Sequence, residues 1–155
     1  ESSKDIVLST PAAGEIIDLS EVNDPTFASG SLGEGFAIIP TDGKIYSPVN
    51  GEVSTVFPTK HAIGVVSEEG AEILIHIGID TVNLNGKYFQ SAVSDGKKVR
   101  KGDLLMEVDL QELIKEGYDP TTMVIVTNSS RFKNIITSHK KNNQTRKLAS
   151  LGGSI

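Results

Sequence analysis

Apolar residues fall in short runs along the chain, separated by clusters of Gly, Pro, Asn, Asp and Ser. Runs of this length, rich in β-branched side chains, predict many short strands. The clearest case spans residues 59–80, where two such runs flank the acidic turn Ser67-Glu68-Glu69-Gly70, a hairpin signal. In the second run Ile73, Ile75, Ile77 and Ile79 share one parity and form a core face. Glu72, Leu74, His76, Gly78 and Asp80 occupy the other. On the first strand Phe57, Thr59, His61 and Ile63 share a parity, with Pro58 as a kink. A turn centred on Glu68-Glu69 sets His61 opposite His76, with Cβ atoms about 4.5–5.5 Å apart. A register one residue different places them on opposite faces.

The same reading yields the other elements. Pro11-Ala12-Ala13-Gly14-Glu15-Ile16, Pro40-Thr41-Asp42-Gly43-Lys44-Ile45 and Pro48-Val49-Asn50-Gly51-Glu52-Val53 repeat one turn-then-strand pattern. In the last two, Asp-Gly and Asn-Gly are expected to supply a positive φ. Their irregular spacing makes this reused turn chemistry, not a solenoid. Residues 23–35 read as a long surface loop leading into a strand at 36–39. Phe27 and Leu32 within it either anchor the loop to the core or face a partner. Residues 104–108 and 123–127 read as strands. Asp109 and Glu112 form a capping box for a two-turn helix whose apolar stripe is Leu110, Leu113 and Ile114, ending at Gly117.

Composition sharpens this picture. Fifteen glycines and six prolines in 155 residues favour an all-β fold, and the length suits one domain with short flanks. A net charge of −5 argues against nucleic acid as a main partner. No apolar run is long enough to span a bilayer, and the first residues carry no signal-peptide pattern. The absence of cysteine rules out a disulfide framework and makes the cytoplasm the default compartment. From residue 131 onward Arg131, Lys133, Lys140, Lys141, Arg146 and Lys147 occur without an acid, which predicts a solvated, partly disordered end.

The candidate chemistry lies with His61 and His76, two of only three histidines. Two touching imidazoles resist double protonation, so at least one ring is neutral near pH 7. Three readings compete. The pair is a half-buried structural feature, or a zinc site with Asp80 or Glu72 as third ligand, or a nucleophilic site with one free ring nitrogen and a donor beside it. Thr59 offers a hydroxyl near the rings. A lipoyl- or biotinyl-carrier domain shares the Val99-x-x-Gly102-Asp103 turn, but Lys97 and Lys98 lack the carrier signature. A zinc peptidase would need a further nearby histidine pair, and His139 stands alone.

At these residues the chain resembles the glucose-type IIA phosphocarrier domain of the bacterial phosphotransferase sugar-uptake system. The matching strings are Asp24-Pro25-Thr26-Phe27, Gly33-Glu34-Gly35-Phe36-Ala37-Ile38-Ile39-Pro40, Ser47-Pro48-Val49-Asn50-Gly51 and Phe57-Pro58-Thr59-Lys60-His61-Ala62. They continue through Ile75-His76-Ile77-Gly78-Ile79-Asp80-Thr81-Val82, Leu84-Asn85-Gly86 and Val99-Arg100-Lys101-Gly102-Asp103. The likeness covers about residues 10 to 135.

The resemblance implies an antiparallel β-sandwich or barrel with one or two very short helices, and a phosphotransferase component working through a phosphohistidine. His76 would accept the phosphoryl group from the carrier protein HPr and pass it to a cysteine of a IIB domain. His61 would steady the phosphoryl oxygens, and Thr59 would orient His61. Asp24 and Asp80 match positions that meet basic groups of HPr. Phe27, Leu32, Phe57, Leu74 and Val82 match its apolar docking rim. No cofactor or metal is implied for the transfer itself; zinc held by His61 and His76 with a partner's ligand is a secondary reading. The alternative is a zinc-binding or regulatory interaction domain using the same face. The implied location is cytoplasmic, with the membrane reached only through the permease. Leu74 stands where the family often has an aromatic residue, Lys60 where it is frequently uncharged. The end after about Thr137 lacks the usual glycine-containing last strand. The expected division is a polar lead-in over 1–9, the IIA domain over 10–137 and a basic polar tail over 138–155.

Overall fold

A computed structural model of the chain describes residues 4–139 and 144–150. Among them are β1 (Asp5–Ser9), β2 (Gly14–Asp18), α1 (Pro25–Ala28), β3 (Glu34–Pro40), β4 (Lys44–Tyr46), β5 (Gly51–Val56), β6 (Ala62–Ser67) and β7 (Glu72–Ile77). Then follow β8 (Phe89–Ser91), β9 (Lys98–Val99), β10 (Leu104–Val108), α2 (Leu110–Lys115), β11 (Thr122–Val126), β12 (Asn134–His139) and β13 (Gln144–Ser150). Short 3-10 turns cover Leu19–Glu21, Thr81–Leu84 and Ser129–Arg131. The all-β expectation holds: a seven-stranded sheet, β2-β3-β11-β7-β6-β5-β9, joins two three-stranded sheets, β4-β10-β8 and β1-β12-β13.

Alternation along the strands sorts side chains into two cores. Phe36 and Ile38 of β3, Ile73, Ile75 and Ile77 of β7 and Val124 and Val126 of β11 belong to the main cluster, with Leu8 of β1 and Leu105 of β10 from the smaller sheets. The opposite parity, Ala37, Met123 and Ile125, forms a second cluster under Leu19, Val22 and Phe27. β11 is therefore buried on both faces, which is why it reads as an unbroken apolar run. Each fully buried Ile or Phe contributes about 1.5–3 kcal/mol, and Phe36→Ala would cost about 3–5 kcal/mol.

Several expectations need correction. Residues 1–9 are not wholly a polar lead-in: β1 pairs in parallel with β12, Asp5 opposite Asn134, and buries Ile6 and Leu8. The expected tail is likewise partly sheet, since β12 and β13 pair antiparallel. Burial of Ile135 and Thr137 supplies the reason. The loop over 23–35 contains α1, capped by Asp24 Oδ1 accepting from Thr26 N–H at 3.0 Å. Helix α2 forms as expected, with Asp109 capping Glu112 N–H, but Ile114 is exposed and only Leu113 of the predicted stripe is buried. Gly43 and Gly51 do not carry positive φ. They are required by close approach instead: a Cβ would lie 1.8 Å from the Val108 carbonyl oxygen at Gly43 and 2.0 Å from that of Val66 at Gly51.

Candidate functional site

The hairpin β6–β7 carries the two histidines, but its turn is longer than the sequence suggests. Ser67 N–H donates to Ala71 O and Gly70, at φ +92, completes a three-residue connection. The register therefore moves by one, and His76 lies opposite Ala62 rather than His61. The expected cross-strand pairing of the histidines is wrong. Their proximity survives for another reason.

His61 does not belong to β6. Between Phe57 and Ala62 the chain makes a tight turn in which Lys60 N–H donates to Phe57 O (2.7 Å) and Lys60 takes φ +61. The His61 carbonyl still accepts from Ile77 N–H (2.7 Å). Its side chain, released from strand alternation, reaches the His76 face. The ring centroids are 4.9 Å apart at 82°.

Each ring has a fixed partner. His76 Nδ1 lies 2.9 Å from the Gly78 carbonyl oxygen. A carbonyl only accepts, so Nδ1 carries the proton and the neutral ring keeps its lone pair on Nε2. His61 Nδ1 lies 2.7 Å from Thr59 Oγ1. Outside the pair, the Phe27 ring packs on His76 at 4.9 Å and the Phe57 ring meets His61 edge-on at 5.6 Å. The four rings form one row, Phe57–His61–His76–Phe27. Burial, and then the charge of His61, push His76 down to about 4, against weaker upward pulls from the Gly78 bond, Asp24 and Asp80. Burial lowers His61 as well. Both imidazoles are thus neutral at pH 7.

The structure brings together His61, His76, Thr59, Phe27 and Phe57, with Asp24 and Asp80 close enough to act on His76 electrostatically. Phe27 is a buried anchor, whereas Leu32 and Val82 are exposed; Leu74 is half-buried against the second core. Neither Asp80 nor Glu72 completes a zinc set: among the described residues no group of three or more His, Asp or Glu could hold a metal. The Gly78 carbonyl was not read as a functional group from sequence, although the small residue two positions from His76 is its visible mark. His139 of the expected tail falls in β12.

A family model described as phosphoenolpyruvate-dependent sugar phosphotransferase system, EIIA 1, matches residues 6–132. The chain is 48% identical over 134 residues to the PTS system beta-glucoside-specific EIIBCA component of Halalkalibacterium halodurans, across 86% of this chain and 21% of that protein. To the Bacillus subtilis protein of the same description it is 51% identical over 132 residues, across 85% and 22%. It thus spans about a fifth of the length of these relatives. The PTS system glucose-specific EIIA component of H. halodurans is 48% identical over 128 residues, across 82% of this chain and 73% of that one. Among solved structures, glucose permease IIA from Mycoplasma capricolum superposes with a TM-score of 0.72 at 42% identity, covering 78% and 79% of the two chains.

Proposed function

The chain belongs to the phosphoenolpyruvate-dependent sugar phosphotransferase system EIIA 1 family, and from that premise we propose that His76 Nε2 is the atom phosphorylated in its phosphotransferase role. The observation that carries this reading is the 2.9 Å bond from Nδ1 to the Gly78 carbonyl. It leaves a lone pair on Nε2 of a ring that stays neutral.

The donor is the phosphohistidine of HPr. As the Nε2–P bond forms, the donor's N–P bond breaks and its electron pair returns to the donor imidazole. His76 retains its Nδ1 proton on the Gly78 carbonyl. Transfer through a loose transition state depends mainly on alignment and on stabilising charge on the equatorial oxygens. Thr59 donates to His61 Nδ1, so His61 presents Nε2–H to those oxygens. The apolar neighbours Phe27, Phe57 and Leu74 limit access of water to the phosphohistidine. The acceptor is a cysteine thiolate of a IIB domain: the S–P bond forms, the Nε2–P bond breaks, and the lone pair returns to His76. Asp24 and Asp80 receive basic groups of HPr, and Leu32 and Val82 extend the apolar rim. The exchange takes place in the cytoplasm, reaching the membrane through the permease that carries the IIB partner. No helix among the described residues is long and apolar enough to cross a membrane.

The test is incubation with phosphoenolpyruvate, the first enzyme of the system and HPr. Wild type should take up acid-labile phosphate and His76→Ala should not. A wild type that stays unlabelled beside a competent HPr overturns the reading.

A further inference from the structure

The Gly78 carbonyl selects which nitrogen of His76 is free, so whatever aims that carbonyl governs the nucleophile. Gly78 lies beyond the end of β7 in a left-handed conformation, φ +82. Its peptide is held from the far side by the turn that precedes β11. Gly78 N–H donates to Thr121 O and Ile79 N–H to Asp119 O, each at 3.0 Å. That turn is closed by one side chain: Asp119 Oδ1 accepts from Thr121 N–H at 3.0 Å and from Thr121 Oγ1 at 2.6 Å. Thr81 closes the near side, its hydroxyl donating to the Ile77 carbonyl. A Cβ on Gly78 would lie 2.5 Å from Thr81 Cγ2 and 3.2 Å from the Asp119 carbonyl oxygen. The 77–78 peptide is thus held by Thr121 O and the Thr81 hydroxyl, and the 78–79 peptide, whose carbonyl meets His76, by Asp119 O, which leaves that carbonyl little freedom to swing.

We propose that Asp119 is a positioning residue for His76: by closing the 119–121 turn it pins the 78–79 peptide and so keeps the proton on Nδ1. Asp119 itself need touch neither the rings nor the phosphoryl group. The tautomer of a histidine is set by the hydrogen bond its other nitrogen makes. A slackened turn lets the Gly78 carbonyl swing away and allows the proton to move to Nε2, where it blocks attack. This inference rests on His76 being the acceptor, but its physical core can be tested without any phosphate.

The experiment is a nitrogen-15 imidazole spectrum of the unphosphorylated protein, joined to a labelling rate from preformed phospho-HPr. Wild type should show Nδ1 protonated and Nε2 bare. In Asp119→Ala the two signals should move toward one another as the tautomers mix, and labelling should slow by on the order of tenfold. Asp119→Asn keeps an acceptor oxygen for both Thr121 bonds and should restore both readouts. Thr121→Val, which loses only the hydroxyl bond, should fall between. Backbone amide spectra identify variants that have unfolded, and Thr121→Val serves as the milder probe if Asp119→Ala is one of them. Unchanged ring signals in a folded Asp119→Ala, or in Thr121→Val where that probe is needed, overturn the proposal whatever the labelling rate. Ring signals that shift in the variants while even wild type takes up no phosphate from phospho-HPr leave the positioning role standing and overturn the acceptor reading instead.

Discussion

His76 faces Ala62 across the β6–β7 ribbon, yet its ring rests on that of His61, 4.9 Å away and nearly perpendicular. The pair is assembled by a turn and not by sheet register. His61 is held at a bend where Lys60 is left-handed, while His76 is held by strand β7. The two rings therefore answer to different parts of the chain and can be perturbed separately.

Removing His61 should separate acceptance from delivery. His61→Ala is expected to take phosphate on His76 but to hand it on about 10²-fold more slowly, the usual cost of losing one donor at a charged transition state. Label retained on the variant, chased with a IIB domain, measures this. Delivery at the wild-type rate would remove His61 from the mechanism.

Thr59 should act only through His61. Thr59→Val abolishes the 2.7 Å bond to Nδ1 and should slow delivery by about tenfold, since one net hydrogen bond is worth about 1 kcal/mol or slightly more. Thr59→Ser should behave as wild type. In the His61→Ala background, Thr59→Val should add nothing, because the bond it breaks is already gone.

Stability should depend on acidity through the two rings. His76 is held at about 4 against an ordinary 6.5, and His61 is also lowered. Below pH 6.5 the unfolded chain binds more protons at these rings than the folded one. Their contribution is thus complete above 6.5, declines as pH falls toward about 4, and levels off beneath it. For half-buried His76 the loss is at most about 3 kcal/mol. Urea midpoints across this range, compared with those of His76→Gln, isolate the effect; equal slopes for the two proteins would contradict it.

Gly78→Ala should injure both fold and site. Its Cβ meets Thr81 Cγ2 at 2.5 Å, and its φ of +82 disfavours any other residue. A loss of about 1–3 kcal/mol is expected, with phosphate uptake falling further than stability alone accounts for. Thermal unfolding and labelling measured on the same sample separate the two.

Thr137→Val should be stabilising. Thr137 is fully buried and its hydroxyl has no hydrogen-bond partner among the described residues. An unpaired buried hydroxyl costs about 1–3 kcal/mol, and valine fills the same space without it. A rise in the urea midpoint at unchanged slope is the expected result.

Much of this was legible in the residues themselves. The isoleucines at 73, 75, 77 and 79 declare one face of β7 and leave His76 on the other, and Asp109 with Gly117 brackets α2. The turn at Glu68-Glu69 was harder, because two- and three-residue connections share the same composition and differ by one residue in register. Gly43 and Gly51 looked like turn glycines, but their need is a carbonyl from a distant strand, which local sequence does not display. β1 was hidden for a related reason. Its short apolar run sits among charged residues, and its partner β12 is not joined to it by any hairpin whose turn could announce the pairing.

That β1–β12 contact has a kinetic consequence. Asp5 waits for Asn134, so every element from β2 to β11 must be synthesised before β1 can dock. Until then Ile6 and Leu8 have no strand beside them, and the main core lacks one wall. Closure of so long a loop is entropically slow. Strand β1 is thus the segment most in need of shelter as the polypeptide leaves the ribosome, and its pairing with β12 is the step that completes the main core.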